Sequence, residues 1–455
     1  MSVPRVVIAG LAGGVGKTTV SLGLVRAFTR QNLTVLPFKK GPDYTDTAWL
    51  ALAANGKAGN LDPFFLDEQA LRDHFLRRSQ GADLAVIEGN RGFFDGRDVA
   101  GSASTAEVAR SLDAPVVLVA SIAKMTRTVA AVVAGCKNFP GGERIGGVIL
   151  NHCAGERHAA ITRRAVEELA GVPVFGVLPR LSPSPVCERR AGLVAACLHD
   201  AAEEALERMA DVMCEHVDIG SVLDLARDVS SFSSGPVKRD AVSPKANVRI
   251  GVVRDDALWQ YYDENLMALE EAGAELVFLS LLGGGPWPQL DGLYLGGGDL
   301  VPHAKTLAAD TAKKNEIRAL IESGLPVYAE HSGYFYLGER FCCDGVAHSM
   351  AGIFPVSAEV TEKPARLGYV QAVTDARTPF YPQGMALKGH EYHYADIRVD
   401  PKAVCAFRKQ AGNTRIDEPD GLVYNAAFGT SMQVFAPAVP EWAESFVTAA
   451  AKWRK

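Results

Sequence analysis

Gly10-Leu11-Ala12-Gly13-Gly14-Val15-Gly16-Lys17-Thr18-Thr19 is the stretch that decides the fold. It follows a buried-strand pattern at residues 5–10 and precedes a helical pattern at residues 18–30. A Gly-rich turn between a strand and a helix presents backbone N–H groups and the positive end of the helix dipole to phosphate oxygens. The strict phosphate-loop pattern has glycine at position 11, where this chain has leucine. A chance Gly-rich turn is the alternative, but the Gly-Lys-Thr run in this context favours a phosphate-binding loop.

Strand and helix patterns alternate outward from this loop. Continuous runs of Val, Ile and Leu are typical of strands that are buried on both faces of a parallel sheet. Alternation of such strands with helices predicts an α/β fold with a doubly wound, mostly parallel sheet. The strands are predicted at residues 5–10, 33–38, 84–88, 115–120 and 147–151, and the helices at residues 18–30, 106–112, 126–136 and 161–169.

A second α/β pattern begins after a Ser- and Pro-rich stretch at residues 229–247, which is typical of a linker. The sequence therefore predicts a nucleotide-binding domain at residues 1–228, the linker, and a second α/β domain at residues 248–455. Within the second domain, strands are predicted at residues 249–253, 275–280, 292–295 and 326–330, and a helix at residues 258–272.

Composition excludes several classes of protein. The chain has 455 residues, a formal net charge of -6 and no basic run, so nucleic acid is not an expected partner. It has no stretch of 18 or more apolar residues and no signal-peptide pattern, so we expect neither a membrane span nor export. Eight cysteines without a C-x-x-C pair are expected to be reduced thiols in a cytoplasmic protein. In such an acidic chain, an anionic substrate requires a local cationic pocket.

Two acidic loops flank the phosphate loop in the predicted sheet. Asp43 and Asp46 follow the second strand, and Glu88 and Asp95 follow the third. The carboxyl ends of the strands in an open α/β sheet form the ligand-binding edge, where the phosphate loop also lies. Carboxylates beside nucleotide phosphates bind Mg²⁺ directly or through water. Solvated loop acids are the alternative for a single loop, but two loops at one edge favour binding of ATP and Mg²⁺.

Two motifs are the most distinctive in the chain, Phe38-Lys39-Lys40-Gly41-Pro42-Asp43-Tyr44 and Gly389-His390-Glu391-Tyr392-His393-Tyr394. With them the chain resembles the cobyrinate a,c-diamide synthases, which are dethiobiotin-synthetase-like ATPases fused to a class I glutamine amidotransferase-like domain. The resemblance spans nearly the whole chain. The other matching stretches are residues 10–19, 60–62, 88–96, 147–151, 189–193, 253–255, 261–266, 293–298 and 366–369.

The resemblance implies an ATP-dependent carbon–nitrogen ligase that amidates acetate side chains a and c of a tetrapyrrole such as cobyrinic acid. ATP phosphorylates the carboxylate, and ammonia then displaces phosphate to leave a carboxamide. The phosphorylation is needed because a free carboxylate offers ammonia no usable leaving group at pH 7. Mg²⁺ and lysine neutralise the charge of the transferred phosphoryl group.

The resemblance also implies roles for single residues. Lys17 and Lys39 hold the phosphates, and Thr18, Asp43 and Glu88 are the metal candidates. Asp46 and Asp95 position the substrate or ammonia. The catalytic candidates are accordingly Lys39, Asp43, Asp46, Glu88 and Asp95, and the nucleotide contacts are Gly13, Gly14, Val15, Gly16, Lys17, Thr18, Thr19 and, for adenine, Asn151.

The second domain departs from the family at both catalytic positions of the glutaminase. The family has a nucleophilic cysteine in an Ala-Glu-Cys-Gly-Gly turn, but residues 329–333 read Ala-Glu-His-Ser-Gly, with His331 at the cysteine position. Met432 stands where the family has the histidine base. Because glutamine hydrolysis by a thiolate needs both groups, we expect a degenerate domain, with free ammonia or a separate glutaminase as nitrogen source. Ser332 as a replacement nucleophile is the disfavoured alternative.

Several alternatives stay open. Sirohaem, or another sirohydrochlorin-type tetrapyrrole, is the second candidate substrate. A non-catalytic regulator that binds ATP and tetrapyrrole is a hypothesis of another class, and the intact phosphate loop and acids disfavour it. Ala12 stands where partitioning ATPases carry a second lysine, which disfavours that class. His390 and His393 are either a metal-ligand pair or hydrogen-bonding residues. A homodimer is one option for the oligomeric state.

Overall fold

The computed structural model describes residues 3–181, 188–189, 192–193, 201–232, 247–411 and 414–454. The chain divides into two compact units, Met1–Lys238 and Arg239–Lys455. Most of the predicted linker, and the middle of the stretch at residues 189–193, lie outside the described residues. Within the described ranges, no helix has both the length and the apolar character needed to cross a membrane.

The first unit is built around one parallel sheet. The strands of this unit are β1 (Arg5–Gly10), β2 (Val35–Lys40), β3 (Gly59–Leu61), β4 (Leu84–Glu88), β5 (Val116–Ser121), β6 (Ile145–Cys153), β7 (Val174–Pro179), β8 (Glu188–Arg189) and β9 (Gly192–Leu193). The last two form a separate antiparallel pair. The helices of this unit are α1 (Lys17–Arg30), α2 (Thr45–Ala53), α3 (Glu68–Arg78), α4 (Thr105–Ser111), α5 (Arg127–Asn138), α6 (Glu156–Ala170), α7 (Ala202–His216) and α8 (Ile219–Arg227).

The sheet of the first unit has seven strands in the order β3-β2-β4-β1-β5-β6-β7, and all of its pairs are parallel. The predicted doubly wound α/β fold is thereby confirmed. Every residue of β1 and of β4 is buried, because these apolar strands are covered on both faces. The order places β4 between β2 and β1, so the three loops that follow these strands are neighbours at one edge.

The second unit is also α/β, as predicted. Its strands are β10 (Val248–Val253), β11 (Leu258–Gln260), β12 (Ala274–Leu279), β13 (Gly292–Leu295), β14 (Gly297–Gly298), β15 (Val327–Glu330), β16 (Arg340–Cys343), β17 (Val346–Ser349), β18 (Val356–Val360), β19 (Arg366–Thr374), β20 (Ala386–His393), β21 (Ala395–Val399), β22 (Cys405–Ala411), β23 (Thr414–Tyr424), β24 (Ala427–Thr430) and β25 (Gln433–Val434). Its helices are α9 (Asp263–Glu271), α10 (Ala304–Ala309), α11 (Thr311–Glu322), α12 (Ser332–Leu337) and α13 (Glu441–Trp453).

The main sheet of the second unit has ten strands in the order β12-β10-β13-β15-β24-β23-β22-β19-β20-β25. The five strands from β12 to β24 are parallel, and the strands beyond β24 are antiparallel. The predicted helix at residues 258–272 was wrong at its beginning. Leu258 and Gln260 pair with Gly298 and Gly297 as a strand, and the helix starts only at Asp263.

Candidate active site

The phosphate loop, residues 11–16, joins β1 to α1 and ends at Gly16. Its φ of 92° lies in the left-handed region, where a side chain costs about 1–2 kcal/mol. A Cβ at Gly16 would also lie 2.2 Å from Asn151 Nδ2. That amide nitrogen donates a 2.9 Å hydrogen bond to the Val15 carbonyl. The end of β6 therefore holds the loop directly before the N-terminus of α1, where phosphate oxygens are favoured.

Lys17 begins α1 and its side chain folds back over the loop. The ammonium donates a 3.0 Å hydrogen bond to the carbonyl of Ala12. Burial lowers the pKa of Lys17, and the positive charge of Lys39 lowers it further. Within the described residues, the Ala12 carbonyl is the only hydrogen-bond partner of the Lys17 ammonium. A phosphate partner would therefore stabilise it, since opposite charges attract strongly in a partly desolvated site.

A buried charge cluster joins α1, α2, β2 and β4. Glu88 Oε1 accepts hydrogen bonds from Thr18 Oγ1 at 2.7 Å and from Lys39 Nζ at 2.8 Å. Lys39 Nζ lies 2.5 Å from Asp46 Oδ2 as well. Lys39 is 2% exposed and Glu88 is 0% exposed. Four residues from three separate stretches of the sequence therefore form one connected unit beside the phosphate loop.

The charges within this cluster depend on one another. Burial lowers the pKa of the Lys39 ammonium, but Asp46, Glu88 and Asp43 outweigh burial and raise that pKa above its ordinary value. Burial raises the pKa of Glu88, and the charge of Lys39 opposes the rise. The resemblance implied that Lys39 contacts phosphate, whereas here its ammonium lies between two carboxylates. Removing one partner of such a buried pair typically costs about 3–5 kcal/mol.

Asp43 lies on the loop between β2 and α2. Its Oδ1 accepts a 2.9 Å hydrogen bond from the backbone N–H of Asp46. Burial and the nearby Asp46 carboxylate raise the pKa of Asp43 to about 7. Asp43 is thus beside the cluster but is not hydrogen-bonded to Thr18 or Glu88, the other two metal candidates.

Asn60, to which the sequence reasoning gave no role, fixes this loop. Its Nδ2 donates hydrogen bonds to the carbonyl of Gly41 at 2.8 Å and to that of Asp43 at 3.0 Å. Asn60 is buried at the edge strand β3. Asn60 lies in the stretch at residues 60–62 that matches the family, and this match was the one indication in the sequence that Asn60 has a role. The atoms to which its amide donates depend on the pairing of β3 with β2.

Asp95 lies on the loop that follows β4, on the side of the phosphate loop. Its Oδ2 accepts a 2.9 Å hydrogen bond from the N–H of Gly92. The N–H of Phe93 donates to the carbonyl of Gly10 at 2.7 Å, which ties this loop to the beginning of the phosphate loop. Asp95 is exposed, and its negative charge opposes the lowering of the Lys17 pKa. It is therefore separate from the Glu88 cluster and faces the phosphate side of the site.

The residues at this edge fit Mg²⁺ bound together with a nucleotide. Thr18 Oγ1 and Glu88 Oε1 are adjacent, and Glu88 Oε2 is buried without a hydrogen-bond partner in the described part of the chain. An unpaired buried carboxylate oxygen is costly unless a cation or donor approaches it. Protein side chains alone do not form a metal cage here, because the described residues contain no group of three His, Cys, Asp or Glu arranged to hold an ion. Mg²⁺ usually takes its remaining ligands from phosphates and water.

The turn with His331 joins β15 to α12 in the second unit. His331 has φ 51° and ψ −118°, a strained conformation for a non-glycine residue. Its Nδ1 lies 2.9 Å from Ser332 Oγ, and its Nε2 lies 2.9 Å from the Tyr392 carbonyl. The Ser332 hydroxyl also donates to the carbonyl of Gly298 at 2.7 Å. The sharp strand-to-helix turn of a nucleophile is present, but its side chain is a buried imidazole.

Met432, at the position expected for the histidine base, is 1% exposed and packs on β20. A Cβ at Gly389 would lie 2.1 Å from Met432 Cγ, so the thioether fills the space beside that glycine. A thioether neither donates nor accepts a proton in the way a base does. Neither Met432 nor His331 therefore offers the thiolate and base of a glutaminase.

His390 and His393 lie on β20 and are buried. Burial, with the nearby His331, lowers the pKa of both imidazoles to about 3, so they are neutral at pH 7. Glu391 between them forms a 2.6 Å ion pair with Lys409. The absence of a three-ligand group in the described residues gives the metal-pair alternative no support. In the described part of the chain, His390 Nδ1 and both ring nitrogens of His393 are buried and have no hydrogen-bond partner.

Comparison with known protein families matches both units. Residues 6–188 match the CobQ/CobB/MinD/ParA nucleotide binding domain. Residues 249–436 match the CobB/CobQ-like glutamine amidotransferase domain. The first match covers the phosphate loop and both acidic loops, and the second covers the turn with His331.

Curated relatives match over nearly the full length. A protein of Magnetococcus marinus named cobyrinate a,c-diamide synthase is 36% identical over 97% of this chain and 96% of its own length. One of the same name from Archaeoglobus fulgidus is 37% identical over 99% of this chain and 98% of its own length. A third, from Syntrophotalea carbinolica, is 39% identical over 89% of this chain and 88% of its own length.

Proposed function

The chain belongs to the cobyrinate a,c-diamide synthase family, a family of ATP-dependent amidating ligases, and on that premise we propose that it amidates acetate side chains of a tetrapyrrole through an acyl phosphate. We further propose that the nitrogen comes from free ammonia or from a separate glutaminase. Amidation of the a and c acetates of cobyrinic acid is the first candidate reaction.

The observation that carries the proposal is the chain of contacts from Thr18 through Glu88 and Lys39 to Asp46. It links the start of the phosphate loop helix to the acidic loop that follows β2. A nucleotide on the phosphate loop and a carboxylate at the acidic loop would therefore meet at one edge of the sheet. Mg²⁺ held by Thr18 and Glu88 would neutralise the β- and γ-phosphate oxygens.

In the first step, an oxygen of the substrate carboxylate attacks the γ-phosphorus of ATP. A P–O bond forms to the acetate, the bond to the β-phosphate oxygen breaks, and ADP leaves. Lys17 moves from the Ala12 carbonyl to the phosphates and stabilises the charge that develops there. Lys39 stays between Asp46 and Glu88 and contacts both carboxylates.

In the second step, the lone pair of ammonia attacks the acyl carbon, the C–O bond to phosphate breaks, and the added nitrogen loses one proton. Asp46 and Asp95 flank the space beside the phosphate loop and are the proposed acceptors or anchors for ammonia. The acyl phosphate is the activated species, because phosphate is a far better leaving group than oxide. The second unit supplies no ammonia of its own in this proposal, since His331 and Met432 replace the nucleophile and base.

The test is mass spectrometry of the tetrapyrrole after incubation with ATP, Mg²⁺ and a labelled nitrogen source. We expect ¹⁵N-ammonium to give labelled amide and amide-¹⁵N glutamine to give none until a separate glutaminase is added. In a well-studied protease, deletion of the nucleophile or the base lowers kcat on the order of 10⁶-fold. Lys17→Ala serves as the control without phosphoryl transfer.

The outcomes distinguish the nitrogen source, the substrate and a catalytic from a regulatory function. Label transfer from glutamine with release of glutamate would overturn the nitrogen proposal and point to Ser332 as nucleophile. Cobyrinic acid and sirohaem are incubated in parallel, and amidation of sirohaem alone would select the second candidate substrate. Binding of ATP and tetrapyrrole without any amidation would support a regulatory protein instead.

A further inference from the structure

Arg91 lies on the loop that follows β4, and the strand order gives that loop a central position. β4 stands between β2 and β1, so its loop lies between the acidic loop and the phosphate loop. A Cβ at Gly41 would lie 3.3 Å from Asn90 Nδ2, so the loop after β4 lies close to the acidic loop after β2. On the other side, Phe93 N–H donates to the Gly10 carbonyl. Arg91 is thus placed between the proposed sites of nucleotide and acceptor carboxylate.

The backbone on both sides of Arg91 is held in place. Asn90 N–H donates to Thr105 Oγ1 at 3.1 Å, and Gly92 N–H donates to Asp95 Oδ2 at 2.9 Å. Between these bonds Arg91 has a φ of 51°, a left-handed conformation that L side chains rarely adopt. A non-glycine residue there costs about 1–2 kcal/mol, which glycine would avoid. Because an arginine occupies this position despite the backbone strain, we expect its guanidinium to have a functional role.

The guanidinium is an available cation in an acidic site. Arg91 is exposed, and no residue in the described part of the chain forms a hydrogen bond or ion pair with its side chain. Nearby, the positive charge of Arg91 adds to the burial that lowers the pKa of Lys40. Asp43, Asp46, Glu88 and Asp95 outnumber Lys17, Lys39 and Lys40 at this edge. A carboxylate substrate that approaches a γ-phosphate here needs a further positive charge.

We propose that Arg91 binds the acceptor carboxylate of the substrate and orients it toward the γ-phosphate. This inference rests on the proposed function and names the carboxylate-binding residue of the same site. A guanidinium suits this task because its N–H groups match both oxygens of a carboxylate in a planar, bidentate pair. The ligand is a polycarboxylate, which the net negative charge of the chain would otherwise repel.

The test compares Arg91→Gly, Arg91→Lys and a matched charge control, Arg110→Gln on α4, whose side chain is exposed. Arg91→Gly removes the guanidinium while relieving the backbone, so its melting temperature should equal or exceed that of the parent. We expect KM for cobyrinic acid to rise at least tenfold while KM for ATP stays within twofold. Arg91→Lys should recover part of the loss, because it restores charge without the bidentate geometry. Arg110→Gln should behave as the parent.

Binding is measured separately by titrating cobyrinic acid into protein saturated with a non-hydrolysable ATP analogue. If the parent binds but does not amidate, the proposed function fails while the affinity of Arg91→Gly still tests this inference. Unchanged KM and unchanged affinity in a well-folded Arg91→Gly would overturn it. A rise in KM for ATP of the same size would also overturn it, since the guanidinium would then serve the nucleotide.

Discussion

Thr18 Oγ1 donates a 2.7 Å hydrogen bond to Glu88 Oε1 and so joins the first turn of α1 to the end of β4. A hydroxyl at this position of a phosphate loop is the usual magnesium ligand. Its partner here is a fully buried carboxylate that also pairs with Lys39. The proposed metal site, the phosphate loop and the acidic loop are therefore linked through one oxygen atom.

Replacing Lys17 by alanine should abolish measurable ATP turnover, a loss on the order of 10³-fold, because its ammonium folds back over the loop and is the proposed cation for the developing phosphate charge. The fold should persist, since Lys17 donates its hydrogen bond only to a loop carbonyl. Phosphate release is the measurement, with thermal denaturation as the check on folding. Lys57→Ala, at an exposed position, is the control. Near-normal turnover of a folded Lys17→Ala protein would refute the nucleotide site.

Glu88→Gln and Asp43→Asn should each lower turnover strongly, about 10²-fold or more, and weaken the response to Mg²⁺. Glu88 has an unpaired buried oxygen beside Thr18, and Asp43 lies next to the same cluster. The measurement is turnover against Mg²⁺ concentration. Glu168→Gln, on the exposed face of α6, is the matched control. If the Mg²⁺ curves of both variants overlay that of the parent, the metal assignment is incorrect.

The raised pKa of Asp43, about 7, makes stability depend on pH. The unfolded carboxyl titrates near 3.9, so between about pH 4 and 7 the folded protein binds more protons and loses stability as the pH rises. Asp43→Asn removes this loss and should therefore stabilise the protein more at pH 8 than at pH 5. The measurement is thermal denaturation at both pH values without Mg²⁺ or nucleotide. Equal stabilisation at the two pH values would contradict the raised pKa.

Three glycines of the phosphate loop should respond differently to alanine. Gly13→Ala should be nearly neutral for stability, since nothing lies within 4 Å of its Cβ. Gly14→Ala meets no atoms either, but its φ of +72° should cost about 1–2 kcal/mol. Gly16→Ala should cost more, because strain combines with the clash at Asn151 Nδ2. Melting temperatures without nucleotide provide the ranking, and partial rescue of Gly16→Ala by Asn151→Ala would identify the clash. An unchanged melting temperature for Gly16→Ala would rule it out.

The parts of the fold that the sequence predicts well are local ones. The predicted strands at residues 5–10, 84–88 and 292–295 agree with β1, β4 and β13 to the residue. These segments are continuous apolar runs bounded by Gly or charged residues, so periodicity and turn chemistry suffice. No strand was predicted after residue 330, so the antiparallel strands β19, β20, β22 and β23 were missed.

The arrangement within the site depends on strand order, which the sequence does not state. Lys39 and Glu88 are direct partners in the ladder between β2 and β4, although 49 positions separate them. The resemblance implied that Lys39 holds the phosphates, and the sequence alone gave no indication of its contacts with Glu88 and Asp46. The role of Asn60 was missed for the same reason, since its amide crosses from β3 to the loop after β2.

The turn at His331 has a consequence for protein engineering. Two backbone hydrogen bonds fix it, from His331 N–H to the Thr430 carbonyl and from Gly333 N–H to the Gly296 carbonyl, and neither involves a side chain. The main chain therefore sets the direction of the Cα–Cβ bond at position 331. A cysteine installed by His331→Cys would inherit the aim of a hydrolase nucleophile without any redesign of the main chain, and labelling with iodoacetamide would report its accessibility. Hydrolysis of glutamine by such a variant would still require a proton shuttle, which Met432 does not provide.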